Sequence, residues 1–293
     1  MNNAVVKINH LSKSFGQHEI LHDLNAEIRQ GEVIGLLGLN GAGKTTLLET
    51  ALGFSPASDG NVELFAKDSF SGLDKTTKAR IGFVPQGDEL LQHIRVDRYL
   101  NLIAEFYPRW NKKLIERLCT EWLIPLDQKT EKLSVGQKQK LSILTALGHE
   151  PDLIILDEPV ASLDTVARRQ FLKELVDIAD NQQRTIVFST HIVSDLERVA
   201  SRVWLLKDKR IAVDAELDSL KEKTVRVHLP PGISIPAYML ADSLIHCRQE
   251  QQTNVLVFTE WSPERHQELE KATGCSLQPE YLSLEDIFLE LLQ

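Results

Sequence analysis

Two stretches of this chain hold residue types that handle phosphate groups and the metal ions that travel with them. The first is Gly38-Leu39-Asn40-Gly41-Ala42-Gly43-Lys44-Thr45-Thr46. It fits G-x-x-x-x-G-K-[ST], a phosphate-binding loop. Glycines let the backbone wrap, so that the N–H groups of a loop such as Gly38, Asn40, Gly41, Ala42 and Gly43 can point at phosphate oxygens. A helix starting at Lys44 adds the partial positive charge of its N-terminus. Lys44 should reach the β- and γ-phosphates of a nucleotide, Thr45 should ligate Mg²⁺, and Thr46 can hydrogen-bond the α-phosphate. The bland alternative is a glycine-rich turn with a chance lysine. The setting speaks against it: the apolar run Val33–Leu37 precedes the loop, and a helical pattern follows to Leu52 and stops at Gly53.

The second stretch is Leu153-Ile154-Ile155-Leu156-Asp157-Glu158-Pro159. Four apolar residues end in two adjacent carboxylates at the C-terminal edge of a strand, where α/β sheets bind ligands. Asp157 suits the outer shell of Mg²⁺, and Glu158 suits a base that orients an attacking water. Alone the pattern is weak, because many strands end in an acid. Other positions are open to two readings. Ser134, in Leu133-Ser134-Val135-Gly136-Gln137, is a good helix N-cap; with the Gly136 amide and the helix dipole it can also form an anion site. Gln86, after Ile81-Gly82-Phe83-Val84-Pro85, can face Mg²⁺ or water, or be a turn glutamine. His191, after Val187-Phe188-Ser189-Thr190, can bond a γ-phosphate or be structural. Phe15, beside Gly16, can stack on adenine or belong to the core.

The elements that position these groups alternate. Residues 4–35 read as strands and turns. Leu153–Leu156 and Thr185–Phe188 read as buried strands, with helices at about 167–180 and 193–201 and a hairpin around Lys207-Asp208-Lys209. From about 88 to 150 helical periodicity takes over, broken at Pro108 and Pro125 and including a helix from about Lys138 to Leu147. From about Val225 a smaller unit begins. It has strands at Val225–Leu229 and Val255–Phe258, a turn at Pro230-Pro231-Gly232, and helices at about Pro263–Thr273 and Leu284–Leu292. The expected division is 1–222 and 223–293.

With 293 residues, 42% hydrophobic and 26% charged, the chain has the composition of a globular protein. Its formal net charge of -9 disfavours a duplex-DNA binder. Cys119, Cys247 and Cys275 form no CxxC pair, so they read as reduced, mostly buried thiols. Met1-Asn2-Asn3-Ala4-Val5-Val6-Lys7 does not read as a signal peptide, and no apolar run approaches a membrane span.

The order of these pieces resembles an ATP-binding-cassette nucleotide-binding domain. Phe15, Gly38–Thr46, Gln86, Leu133-Ser134-Val135-Gly136-Gln137, Asp157-Glu158, Ala161-Ser162-Leu163-Asp164 and His191 follow the order of that superfamily over roughly the first 220 residues. The resemblance implies an α/β P-loop nucleoside triphosphate hydrolase core with an N-terminal antiparallel β-subdomain and a helical subdomain at about 88–150. A small C-terminal α+β domain is appended. It implies ATP and Mg²⁺. Lys44, Gln86, Glu158 and His191 would then be catalytic, and Thr45, Gln86 and Asp157 would lie on the metal. Phe15, the loop, Ser134, Gly136, Gln137 and Asp164 would contact nucleotide. Two copies, or one copy and a homologous cassette, would close head to tail around two ATP molecules, with Asp164 at the seam. Closure would move separate membrane permease subunits through the helical insert near Gln86. Departures are Val135 where Gly is usual, Val160 where Thr is usual, and Ser162 where Gly is common.

Phe106-Tyr107-Pro108-Arg109-Trp110 and Leu282–Glu290 look like a bacterial exporter-type branch, which implies a peripheral place on the cytoplasmic face of the inner membrane and no nucleic acid partner. The rivals are an ATPase acting mechanically on nucleic acid or ribosomes, and a degenerate, nonhydrolysing cassette that serves as a structural, sensory or regulatory module without transport. One nucleotide domain per chain and the lack of a long coiled-coil insertion argue against the first. The presence of Lys44, Asp157, Glu158 and His191 argues against the second.

Overall fold

The computed structural model describes residues 4–87, 89–182, 184–230, 232–233, 244–250 and 253–292. Two sequence expectations fall partly outside them, at Asp88 in the helical insert and Pro231 in the turn after Leu229. The chain divides into two compact units, Met1–Asp214 and Ala215–Gln293.

The first unit opens with β1 (Ala4–Phe15), β2 (His18–Arg29), β3 (Val33–Leu37) and α1 (Lys44–Ala51). Then come β4 (Asp59–Leu64), β5 (Lys67–Asp68), the short α2 (Lys75–Lys78) and β6 (Ile81–Val84). The helical insert holds α3 (Val96–Ala104), α4 (Lys112–Glu121) and α5 (Val135–Gly148). After it come β7 (Leu153–Leu156), α6 (Thr165–Gln182), β8 (Thr185–Thr190), α7 (Val193–Val199), β9 (Arg202–Lys207) and β10 (Arg210–Glu216). Strands β2-β1-β4-β5 form an antiparallel sheet. A second sheet runs β10-β9-β3-β8-β7-β6, parallel from β9 to β6.

The sequence accounts for both sheets. Every residue of β3, β7 and β8 is buried. Strands covered on both faces carry such continuous apolar runs. β1 instead has an interrupted burial pattern, with Val5, Val6, Ile8 and Leu11 buried and Lys7 exposed. The core joins these residues to Leu36, Leu153, Ile155 and Val187 of the parallel sheet and to Leu47 and Leu48 of α1. Asp208 and Lys209 take φ of 48° and 67°. Positive φ at both central residues is the tight-turn geometry that suits strand twist, and it makes the expected hairpin.

One boundary differs from the sequence reading. The helix expected from Lys138 begins at Val135, because Ser134 and Gln137 close a capping box directly before it. The first helix of the insert starts at Val96, inside the expected helical stretch of about 88 to 150. The far end of α5 is clasped. Trp110 packs over Gly148 so closely that a Cβ there would lie 2.6 Å from the ring. Tyr107 stacks on His149 at 3.9 Å between centroids. The insert also meets α6 through Arg117, whose guanidinium donates to both carboxylate oxygens of Glu174 at 2.7 and 3.1 Å.

The second unit contains α8 (Leu217–Lys223), β11 (Val225–Leu229), β12 (Leu244–Glu250), β13 (Thr253–Phe258), α9 (Pro263–Thr273), β14 (Glu280–Tyr281) and α10 (Leu284–Leu292). Its antiparallel sheet runs β12-β13-β11-β14. Val225, Val227, Leu256 and Phe258 pack with Trp261 and with Leu269 of α9. α10 buries Leu284, Ile287 and Phe288. It also buries Glu290, which pairs with Arg226 at 2.6 Å and with Arg248. The thiols depart from expectation. Cys119 is buried, and burial pushes its pKa up to about 11, but Cys247 is exposed and Cys275 half-buried.

Candidate functional site

β3 runs into the glycine-rich loop and α1 leaves it. Gly41 and Gly43 take φ of 82° and 103°, a region that favours residues without Cβ. Gly43 caps α1 without any side-chain hydrogen bond. The first-turn amides of α1 are therefore not claimed by a side-chain cap and can serve an anion.

Lys44 is the first residue of α1 and is buried, 7% exposed. Its ammonium donates to the Gly38 carbonyl at 2.9 Å and lies 3.2 Å from Glu158 Oε1. Thr45 donates to Asp157 Oδ2 at 2.6 Å. The opposite oxygen, Asp157 Oδ1, accepts from Ser189 at 2.5 Å. The same Ser189 hydroxyl accepts the Glu158 N–H at 2.8 Å. Glu158 Oε2 lies 2.9 Å from His191 Nδ1. Six residues from β3's loop and the ends of β7 and β8 thus form one connected polar network.

Glu158 has φ of 47°. Left-handed backbone at a residue with a long side chain stores roughly 1–3 kcal/mol and persists only where the surroundings over-determine it. Strain of this kind concentrates at functional sites.

The network borders a cavity of about 390 Å³ lined by Ile20, Asn40, Gly41, Gly43, Lys44, Thr45, Thr46, Gln86, Glu158, Ala161 and His191. Most residues singled out in the two motifs meet there. Asp157 lies behind the lining, tied to it through Thr45. Gly38 and Ala42 belong to the same loop.

Five residues lie elsewhere. Phe15 is exposed at the tip of the β1–β2 hairpin, with Lys13 Nζ 4.7 Å from its ring centre. Ile20 of the same hairpin is what reaches the cavity. Ser134 and Gln137 serve the capping box: Ser134 Oγ accepts from the Gln137 amide at 3.3 Å, and Gln137 Oε1 accepts from the Ser134 amide at 3.0 Å. Asp164 accepts from the Val166 and Ala167 amides at 2.9 Å each. The Ala167 amide, seconded by Val166, holds that carboxyl below its ordinary pKa. Gly136 faces the loop that follows Pro159, where a Cβ would meet the Ser162 carbonyl at 3.2 Å.

The oxygen donors fit a hard divalent cation. Thr45 and Gln86 line the cavity, and the Asp157 carboxylate behind it is bonded to the Thr45 hydroxyl. The described residues hold no cluster of three His, Cys, Asp or Glu side chains that could bind a metal by itself. A cation here would complete its shell with phosphate oxygens and water, which is the habit of Mg²⁺.

Residues 21–161 match the family described as ABC transporter, within a parallel sheet whose loop and acids are arranged as above. The matched segment is an ABC transporter ATP-binding domain. Cassettes of this family bind ATP. The chain is 28% identical over 229 residues to the ABC transporter ATP-binding protein YtrB of Bacillus subtilis, covering 77% of this chain and 76% of that one. It is 29% identical over 224 residues to the bacitracin transport ATP-binding protein BcrA of Bacillus licheniformis, covering 75% and 72%. The uncharacterised ABC transporter ATP-binding protein YdbJ of Bacillus subtilis is 26% identical with coverage of 99% and 96%, so the likeness extends through the second unit. Among solved structures, an ATP-binding subunit of an ABC transporter superposes with a TM-score of 0.67 at 26% identity, covering 74% of this chain and 92% of that one. The dimeric cassette MJ0796 shares the fold, with a TM-score of 0.66 at 22% identity and coverage of 72% and 98%.

Sequence reasoning passed over Ser189 within the cassette. One signal was present: Ser189 follows the apolar run Ile186–Phe188 in a strand whose every residue is buried.

Proposed function

We propose that the chain is the ATP-hydrolysing subunit of an exporter-type transporter and works as a head-to-tail dimer on separate membrane permease subunits. The observation that carries the reading is the unbroken network Thr45–Asp157–Ser189–Glu158, extended to Lys44 and His191, on the wall of the phosphate-loop cavity. The loop amides and Lys44 bind and orient the β- and γ-phosphates of ATP. Thr45, Asp157 and Gln86 would hold Mg²⁺, which when bound offsets the charge of the phosphate oxygens. Glu158 orients a water for in-line attack on the γ-phosphorus and accepts its proton; His191 steadies that carboxylate and contacts the γ-phosphate.

The dimer is supported by what the cavity lacks on its own rim. Ser134, Gly136 and Asp164 lie off it, and Val135 between the first two is 68% exposed. The Ser134 hydroxyl spends a lone pair in the capping box, so its proton is available to an anion held by a second copy. Separate permeases are supported by the absence, among the described residues, of any helix long and apolar enough to cross a membrane. An export role follows the likeness to BcrA, named for bacitracin transport. The place of the protein is then the cytoplasmic face of the inner membrane.

Two measurements test this. The chain should release phosphate from Mg²⁺-ATP, and Lys44→Ala should abolish ATP binding. From detergent extracts the chain should co-purify with an integral membrane protein. A chain recovered free of membrane partners and bound to nucleic acid would refute the transporter reading.

A further inference from the structure

We propose that Ser189 is a positioning residue that fixes the metal-side carboxylate of Asp157 and the backbone of the base Glu158 relative to each other. The proposal rests on the roles assigned to those two acids above. Ser189 is fully buried near the end of β8, a central strand that lies between β3, which feeds the phosphate loop, and β7, which ends in the acids. The preceding residues Ile186, Val187 and Phe188 are apolar and equally buried. Packing alone does not call for a hydroxyl here, and a buried hydroxyl is unfavourable unless it is hydrogen-bonded.

Ser189 uses both of its bonding capacities, and it uses them on neighbouring residues. Its O–H donates to Asp157 Oδ1 at 2.5 Å, and its oxygen accepts the Glu158 N–H at 2.8 Å. Asp157 is thereby held at both oxygens, because Oδ2 accepts from Thr45 at 2.6 Å. A carboxylate gripped on both oxygens cannot rotate without breaking one bond, so its plane is set before a cation arrives. Glu158, in the left-handed region at φ of 47°, is held at its amide by the same oxygen. One side chain thus serves the metal side and the water side of the reaction. It does not itself line the cavity, and it acts through Asp157 and Glu158.

The test compares Ser189→Ala with the shape-matched pair Ser189→Thr and Ser189→Val in the full chain. Thr keeps the hydroxyl and Val does not, so any crowding from the added methyls is common to both. Binding of a fluorescent ATP analogue is titrated in Mg²⁺ and in EDTA, alongside kcat and KM for Mg²⁺-ATP. Ala and Val are expected to weaken Mg²⁺-dependent binding and lower kcat about 10- to 100-fold, the usual range for groups that orient metal-side ligands. Binding in EDTA should stay within about twofold, since Lys44 and the loop amides make no bond to Ser189. Thr should behave like the parent chain. A purely structural role would instead depress both binding modes together. The proposal is overturned if Ala and Val keep parental Mg²⁺-dependent binding, or if Thr loses it as fully as Val. Should the parent chain bind Mg²⁺-nucleotide without turning it over, the assignment of Glu158 as base fails, and the binding comparison still decides the role of Ser189.

Discussion

Replacing Glu158 by Gln should trade stability of the nucleotide-free chain for tighter nucleotide binding while stopping turnover. The Lys44 ammonium lies 3.2 Å from Glu158 Oε1, and both side chains are under 10% exposed. At an effective dielectric of about 20 the attraction is about 5 kcal/mol before desolvation. Gln keeps the shape and one hydrogen bond to Lys44 but removes the counter-charge. Breaking a buried pair this way costs about 3–5 kcal/mol when nothing replaces it, and the retained hydrogen bond brings that to about 2–3. For a unit of this size the melting temperature should drop by about 4–12 °C. ATP phosphates return the missing charge to Lys44, so much of the loss reappears as affinity. A gain of at least about tenfold corresponds to 1.4 kcal/mol. Loss of the base should lower kcat at least about 100-fold. Differential scanning fluorimetry with and without Mg²⁺-ATP, phosphate release and gel filtration together read all of these, with the variant accumulating as a closed dimer. Unchanged turnover would remove Glu158 from the base role. A smaller ATP-induced rise in melting temperature than in the parent chain would refute the competition between Glu158 and phosphate for Lys44.

Three further outcomes are expected. Val135→Gly restores the usual residue at an exposed position of the α5 turn and should raise ATPase activity; an unchanged rate would show the departure to be neutral. Gly148→Ala should destabilise by about 1–3 kcal/mol through the clash with Trp110, outweighing the gain of up to about 1 kcal/mol in helix propensity, as read by urea unfolding. In a Trp110→Ala background the same change should become neutral or favourable. In the second unit, burial pushes the Glu290 carboxyl up, but Arg248 and Arg226 together pull it below its ordinary value. A depressed carboxyl contributes stability above its unfolded pKa of about 4.3 and loses it as pH falls through the folded value. Hydrogen exchange of residues 215–293 should therefore quicken below about pH 4.3, and Glu290→Gln should flatten that dependence.

The phosphate loop and the acid pair were legible in sequence because their chemistry demands fixed residue types at fixed spacing. The buried strands around them were legible because β3, β7 and β8 are covered on both faces. Local pattern failed where partners come from afar. Asp59–Leu64 opens with the turn-favouring residues Asp-Gly-Asn and is given no element from sequence; it is a strand because β1 supplies a ready edge. Leu244–Glu250 is polar and shows no clear alternation, yet β13 recruits it into the sheet. Arg226, Arg248 and Glu290 are far apart in sequence, and only the fold, through α10, pairs the acid with both arginines. Ser189 escaped notice for the same reason: its partners are 31 and 32 residues away.

The order of strands in the parallel sheet also decides which reactive group is free to move. Lys44, His191 and the two acids follow β3, β8 and β7, three strands with a neighbour on each side. Ladders spaced about 4.8 Å apart act as a ruler for those groups, and shifting any one of them would break hydrogen bonds along two strands. Gln86 follows β6, which is the sheet's edge and pairs on one side alone. It also stands at the head of the connection into α3. A pull from the helical insert can therefore displace Gln86 by turning a few loop dihedrals while the remaining groups keep their spacing. On the function proposed above, Gln86 would be the sliding part and the other groups the fixed anvil.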